Sequence, residues 1–332
     1  MTKASVSRPK VYIGMPLPAH VRAQIDAVCD VVAHDTARPT RERLATILPE
    51  VVGLLVSNQV RLDNDLIAAN PHLRVLSNYG VGYDNVDVPF ATAHHLLVCN
   101  TPHVLNEAVA DLTFGLMLTL LRRIVEAHLF VATGRWAGGE AFPLGHDLQG
   151  KTLGLLGFGR IAHAVARRAA PFGLRVIYHD LRRDLEAEHA GLATYRDRDD
   201  LFREADILSV HVFLDETTRG LVDARALALM KPSAVLINTA RGPVVDQTAL
   251  AEALRSGRLA GAALDVFERE PLPADDPLTR LPNVVLAPHM GSGTEETRTA
   301  MAELAARNLI AGVTGQRPEA IVNPEVLESG AG

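Results

Sequence analysis

The chain has 332 residues, more than one typical core accommodates, and suits two domains of roughly 100–200 residues each. At 48% hydrophobic and 22% charged residues its composition is that of an ordinary globular protein, which excludes disorder as a global description. A formal net charge of −6 offers no basic field, so neither nucleic acid nor an anionic membrane surface is an expected partner.

The N-terminal stretch up to Lys10 is polar and lacks the apolar segment of a secretory signal, which points to a cytoplasmic protein. Short apolar runs then alternate with helical segments. Strands are predicted at 11–15, 51–56, 73–77 and 96–99, and helices at 19–29, 40–48, 63–70 and 89–94. Such alternation implies a parallel sheet with helices on both faces. Pro102 closes the fourth strand, and a long helical period follows over 106–123, continuing weakly toward Trp136. Its apolar core is interrupted by Asp111 and ended by Arg122 and Arg123, short of the ~20 apolar residues a membrane span needs. A buried or interface helix is the better reading. Gly138, Gly139, Pro143 and Gly145 mark a loop.

A second alternation begins at Lys151. It predicts strands at 152–156, 175–179, 207–211, 234–238, 261–264 and 284–287, with helices at 160–172, 224–229, 248–256 and 295–312. This full second set of strands calls for a separate domain. Cys29 and Cys99 lie far apart without CxxC spacing, so neither a disulfide framework nor a metal site is expected.

Gly157-Phe158-Gly159-Arg160-Ile161-Ala162 follows the first of these strands and opens a helix, the context that the G-x-G-x-x-[G/A] dinucleotide fingerprint requires. Gly157 permits the tight turn, and Gly159 lets the backbone approach a pyrophosphate. That group would sit on the N–H groups of the helix start at Arg160 and Ile161. Asp180 ends the next strand, where a carboxylate receives ribose hydroxyls and repels a 2′-phosphate. Arg182 and Arg183 could pair with such a phosphate, or be a solvated loop cluster. NAD is therefore the expected cofactor, with NADP possible.

Three further segments put polar groups at or beyond strand ends, where open α/β sheets gather their ligands. They carry Asn238-Thr239-Ala240-Arg241-Gly242, then Asp265 and Glu270, then His289. Taken alone, Glu270 beside Glu268 and Arg269 reads as a surface carboxylate, and a single histidine after a strand as structural.

Taken together, these segments resemble the D-isomer-specific 2-hydroxyacid dehydrogenase family, with glyoxylate/hydroxypyruvate reductases as the nearest flavour. The likeness rests on SNYGVGYDNVD at 77–87, NTPHVLNEAVADL at 100–112, GKTLGLLGFGRI at 150–161, INTARGPVVD at 237–246, ALDVFEREP at 263–271 and APHMGSGT at 287–294. It extends from about Lys10 to Pro324. The resemblance implies two doubly wound parallel-sheet domains, a Rossmann cofactor domain (102–292) inserted into a flavodoxin-like substrate-binding domain (1–101 and 293–332). It implies that Arg241, Glu270 and His289 are catalytic and that a small 2-keto acid is bound by Arg241 and by the backbone of Val81 and Gly82. Thr113, Thr239, Ala240, Asp265, His289 and Ser292 would surround the nicotinamide, and His211, Phe213 and Thr217 the adenosine. Phe213 stands where the family usually has proline, and His103 where a smaller residue is commoner. The family also implies a homodimer through the helix from Asn106 and the arm near Trp136.

The chemistry suits these roles. Reducing a keto acid needs a hydride donor, a proton donor for the carbonyl oxygen and a cation for the carboxylate. An imidazole, with an ordinary pKa of about 6.5, transfers protons near neutral pH. An arginine fork grips a carboxylate as lysine cannot. Two alternatives remain: a phosphite or other small-anion dehydrogenase on the same scaffold, and a non-catalytic NAD-sensing, corepressor-like protein. The intact Arg–Glu–His set argues against the second. Formate dehydrogenases resemble this family but carry Gln where Glu270 stands, and the cysteine ligands of zinc alcohol dehydrogenases are missing.

Overall fold

Parallel pairing runs through both sheets of the computed structural model, which describes residues 7–329. Residues 1–6 and 330–332, which the sequence-based domain limits and the leader reading included, lie outside the described residues. The chain divides into two compact units. One extends to Leu105 and resumes at Thr294, and the other is Asn106–Gly293.

In the first unit the strands are β1 (Lys10–Gly14), β2 (Asp30–His34), β3 (Gly53–Ser57), β4 (Val75–Tyr79) and β5 (Leu97–Cys99). Their order is β2-β1-β3-β4-β5, all parallel, the flavodoxin-like arrangement. Strand β2, DVVAH, is absent from the sequence-based prediction because it is a half-exposed edge with polar ends and no sustained apolar run. Strands β3 and β4 start two residues later than predicted. Val51 and Leu73 are buried, but in the turns leading into the ladder. The helix Glu295–Val313 packs on this sheet, with Ser77 Oγ donating to the Ala305 carbonyl at 2.7 Å.

The second unit holds β6 (Thr152–Leu156), β7 (Arg175–His179), β8 (Thr194–Tyr195), β9 (Ile207–Val210), β10 (Val235–Asn238), β11 (Gly261–Leu264) and β12 (Val284–Leu286). Their order is β12-β11-β10-β9-β6-β7-β8, again all parallel. Going outward from β6, the chain winds one way through β7 and β8 and the other way from β9, so a switch point lies between β6 and β9. Both faces are covered. Leu201, Phe202, Leu236 and Leu250 belong to the core on one side, and Phe114, Met117, Val165 and Tyr178 to the core on the other.

The long helical period does not continue past Arg123. The helix Asn106–Leu121 ends, Arg123 takes a left-handed conformation (φ 54°), and a separate helix runs over Ile124–Ala132. The returning loop supplies the reason, because His146 N–H donates to the Leu121 carbonyl at 2.8 Å and satisfies a helix-end acceptor. The helices Leu185–His189 and Arg198–Glu204, also missing from the prediction, are short, charged and bury only one or two side chains each.

Candidate active site

The fingerprint turn and most polar groups singled out in the second unit follow the carboxyl ends of strands, whereas Thr113 lies on the helix Asn106–Leu121. Gly157 follows β6, Asp180 follows β7, His211 follows β9, Arg241 lies just past β10, Asp265 follows β11 and His289 lies just past β12. This is the edge where doubly wound sheets bind ligands.

The fingerprint turn is built for close approach. Gly157 sits at φ 91°, and a Cβ there would lie 2.7 Å from the His211 carbonyl carbon and the Val212 nitrogen. No other residue fits this position. Gly159 differs, since it has no positive φ and a Cβ added to it meets nothing within 4 Å. Neither packing nor backbone conformation demands glycine there, so the open space beside it fits a ligand pressed against the main chain. The helix Arg160–Ala169 begins at that point with no side chain capping its N-terminus. Ala162 is fully buried. Asp180 folds over the same turn: its carboxylate accepts from Phe158 N–H and from Leu181 N–H, each at 2.6 Å, and retains lone pairs for hydroxyl donors. Arg183, by contrast, is committed to Glu188 (Nη2–Oε2 2.5 Å) and lies over the Tyr195 ring at 5.2 Å. Arg182 is exposed.

At the other end of the sheet edge His289 and Glu270 meet. Nδ1 of His289 lies 2.6 Å from Oε2 of Glu270, both side chains about one-quarter exposed. The second oxygen, Oε1, accepts from Phe267 N–H at 3.1 Å. Burial works to raise the Glu270 carboxyl. The His289 hydrogen bond and charge, the Phe267 N–H and the Arg241 charge outweigh it and hold the group below its ordinary value. The lone-residue readings of Glu270 as a surface carboxylate and His289 as structural therefore do not describe their surroundings. Arg241 is set by a short polar turn in which Asn238 Nδ2 donates to the Arg241 carbonyl and Asn238 Oδ1 accepts from Ala240 N–H. Its Nη1 donates to the Ala240 carbonyl at 2.8 Å.

Asp265 has a role that sequence reading missed. It is buried, its oxygens accept from Met290 N–H (2.7 Å) and Gly291 N–H (2.8 Å), and its carbonyl accepts from His289 N–H. It thus ties down a turn in which His289 itself adopts φ 53°, a strained value for a non-glycine residue. Burial raises the Asp265 carboxyl above its ordinary value, against the pull of those N–H groups and the His289 charge. Only a pattern of buried carboxylate plus following turn could have signalled this, and the sequence does not display burial.

The remaining expected cofactor contacts scatter around this edge. Thr113 is fully buried, donates to the Val109 carbonyl and lies 3.1 Å from the Thr239 hydroxyl, so those two are brought together. Ser292 is half-buried and follows the Asp265-bound turn. His211 is half-buried. Desolvation pushes it down to about 4, leaving a neutral ring paired with Ser209 Oγ at 2.8 Å. Phe213 is exposed, and the Thr217 hydroxyl is turned onto Asp215 at 2.7 Å within the same loop. In the first unit, Val81 and Gly82 follow β4 in a loop whose carbonyls are held by buried side chains. Among the described residues no helix is long and apolar enough to cross a membrane, and no cluster of candidate metal ligands is present.

A fingerprint turn with an uncapped helix start, a carboxylate over it and a carboxylate-held histidine along the same edge define an NAD(P)-dependent oxidoreductase. The comparisons narrow the class. Residues 114–291 match the model of the D-isomer specific 2-hydroxyacid dehydrogenase NAD binding domain. A glyoxylate reductase of Thermofilum pendens is 46% identical over 97% of each chain. The crystal structure of a glyoxylate reductase from Paecilomyes thermophila superposes with a TM-score of 0.86 at 32% identity, covering 96% of this chain and 99% of that one. An NADPH-dependent glyoxylate/hydroxypyruvate reductase from Sinorhizobium meliloti, solved with NADP and malonate, gives 0.85 at 37% identity over 95% and 97%. The chain belongs to the D-isomer-specific 2-hydroxyacid dehydrogenase family.

Proposed function

We propose that this chain reduces glyoxylate and hydroxypyruvate to the corresponding hydroxy acids, with the D configuration where a stereocentre forms and with NADH as preferred donor. The observation that carries the reading is the 2.6 Å Glu270–His289 hydrogen bond in the field of the Arg241 charge. The nicotinamide, when bound, supplies the hydride to the keto carbon. His289, held at Nδ1 by Glu270, delivers a proton from Nε2 to the carbonyl oxygen as that oxygen gains charge. Arg241 neutralises the substrate carboxylate and polarises the carbonyl without itself giving up a proton. Val81 and Gly82 are proposed to donate backbone N–H groups to a substrate carboxylate. Arg160, Ile161, Asp180, Thr239, Ala240, Asp265 and Ser292 are proposed cofactor contacts, together with Thr113, His211, Phe213 and Thr217.

Two observations support NADH over NADPH: the Asp180 carboxylate above the fingerprint turn, and the engagement of Arg183 by Glu188. A homodimer is proposed on the exposed apolar helix Ile124–Ala132, and a cytoplasmic location on the two free, buried thiols Cys29 and Cys99. The deciding experiment is a spectrophotometric screen of the purified protein against glyoxylate, hydroxypyruvate, pyruvate, phenylpyruvate and phosphite, each tested with both coenzymes. The expected result is turnover of the two short keto acids, lowered by about 100-fold or more in His289→Ala with NADH binding retained. Turnover confined to phosphite, or wild-type turnover in His289→Ala, would overturn the proposal.

A further inference from the structure

The loop after β4 has a backbone whose orientation is set from one side. Gly80 N–H donates to Thr101 Oγ1 at 3.1 Å, and the Gly80 carbonyl accepts from Thr101 N–H at 2.9 Å. The next carbonyl, Val81, accepts from Asn100 Nδ2 at 2.9 Å, and the one after it, Gly82, from Asn78 Nδ2 at 2.8 Å. In a trans peptide the N–H points opposite to the C=O across the same bond. Fixing the Gly80 and Val81 carbonyls toward Thr101 and Asn100 therefore turns the N–H groups of Val81 and Gly82 the other way, side by side. Successive N–H groups aligned like this make an anion-binding concavity.

The side chains that impose the orientation are buried amides, and each is itself held. Asn78 is fully buried, and its Oδ1 accepts from Asn85 Nδ2 at 3.2 Å. The Asn100 carbonyl accepts from Asn308 Nδ2 at 3.0 Å, while Asn308 Oδ1 accepts from Ala320 N–H. Asn308 lies on the helix Glu295–Val313, so the returning C-terminal segment braces the loop at second hand. Gly80 fits the same design. At φ 154° a Cβ would lie 2.7 Å from Asn58 Cγ, which leaves glycine as the residue that can start this turn. Four polar amides in one apolar unit are costly unless satisfied, and these spend their donors on this loop, its supports and the turns around it.

We infer that Asn100 and Asn78, braced by Asn308 and Asn85, are positioning residues that aim the Val81 and Gly82 N–H groups at the carboxylate of the substrate. The inference rests on the proposed reading of that loop as a carboxylate site. Neither asparagine touches substrate, so their loss acts through the loop and falls on binding more than on turnover.

The experiment compares wild type with Asn100→Leu and Asn78→Leu, each deleting one donor, and with Ser77→Ala as a control. Ser77 is buried on the same strand as Asn78, and its hydroxyl donates to the Ala305 carbonyl rather than to the loop or its four asparagines, so its loss weakens the fold without removing a loop-supporting amide. Glyoxylate KM, kcat, the inhibition constant of oxalate, NADH binding and melting temperature are measured for all four. The asparagine variants are expected to raise KM and the oxalate constant by about tenfold, with a much smaller change in kcat and unchanged NADH binding. Ser77→Ala should melt lower with KM unaltered. If either asparagine variant folds and binds NADH but keeps wild-type KM and oxalate affinity, the positioning role is overturned while the functional reading stands. A wild type that neither reduces glyoxylate nor binds oxalate overturns both.

Discussion

Glu270 and His289 share one short hydrogen bond, which sets a carboxylate directly beside the ring. Reduction needs the protonated ring and oxidation the neutral one. Because the Glu270 carboxyl is held below its ordinary value, it is ionised throughout the neutral range. In Glu270→Gln that charge is gone. Activity that depends on the ionised carboxylate should be lost in wild type as pH falls through the depressed Glu270 value, an acid limb the variant lacks, and kcat/KM at neutral pH should drop about tenfold or more. Profiles of kcat/KM against pH in both directions test this, and coincident limbs for the two proteins would remove the pair from the mechanism. Coenzyme choice is a second residue-scale matter. Asp180→Ala should narrow the preference for NADH by removing repulsion of a 2′-phosphate, whereas a wild type that prefers NADPH more than about tenfold would reverse the assignment. Arg241, Glu270 and His289 were singled out because the family resemblance falls on them after strand ends, whereas Glu270 and His289 taken singly read as a surface carboxylate and a structural histidine. Asp265 was named too, but as a nicotinamide neighbour. Its hold on the His289 turn depends on burial and on two backbone N–H groups, and no residue pattern announces either.

At the scale of elements, strands reached their positions by apolar runs, but their starting edges are joined by a polar staple. Asp206 immediately precedes β9, and its carboxylate accepts from Thr152 N–H at the start of β6 (2.8 Å) and from Lys231 Nζ (2.7 Å), while its carbonyl accepts from Val235 N–H at the start of β10. Burial works to raise this carboxyl, and the Lys231 ammonium and the Thr152 N–H outweigh it and hold it low. A carboxyl depressed by folding adds stability above its unfolded value, about 3.9, and loses it as pH falls through the folded value. Asp206→Ala should therefore cost about 2 kcal/mol at neutral pH, and its deficit against wild type should shrink as pH drops below 4 or so. Denaturant melts at neutral and acid pH measure the gap, and a deficit that stays constant with pH would assign it to packing. The sequence spoke clearly for β6, β7 and β11, whose buried runs match the predicted limits. It was silent on β2 and β8, edge strands with too few buried side chains to make a pattern. It also missed the break at Arg123, where the helix-end Leu121 carbonyl is captured by the His146 N–H of a later loop rather than the break being set by a local glycine or proline.

For the whole molecule, alternating strands and helices were enough to foresee two parallel sheets, but not which sheet the final long helix covers. Amphipathic periodicity is the same whichever sheet a helix faces, and the contact of Ala305 with Ser77 joins residues far apart in the chain. The surface proposed for assembly is more visible. In the helix Ile124–Ala132 only Phe130 is buried, whereas Ile124, Val125, Leu129 and Val131 are each at least half exposed and Trp136 beyond it is 69% exposed. Several exposed apolar side chains on one short helix are uncommon on a lone chain and suit a two-fold contact, in which one patch meets its own copy. The proposed dimer should therefore sediment at twice the mass of one chain. Val125→Asp with Leu129→Asp would bury four like charges across a two-fold contact, so the double variant should sediment as a monomer. Because both side chains are solvent-exposed in the single chain, its circular dichroism should remain that of the wild type. Wild type sedimenting at the mass of one chain, or a double variant that stays dimeric, would place the partner surface elsewhere.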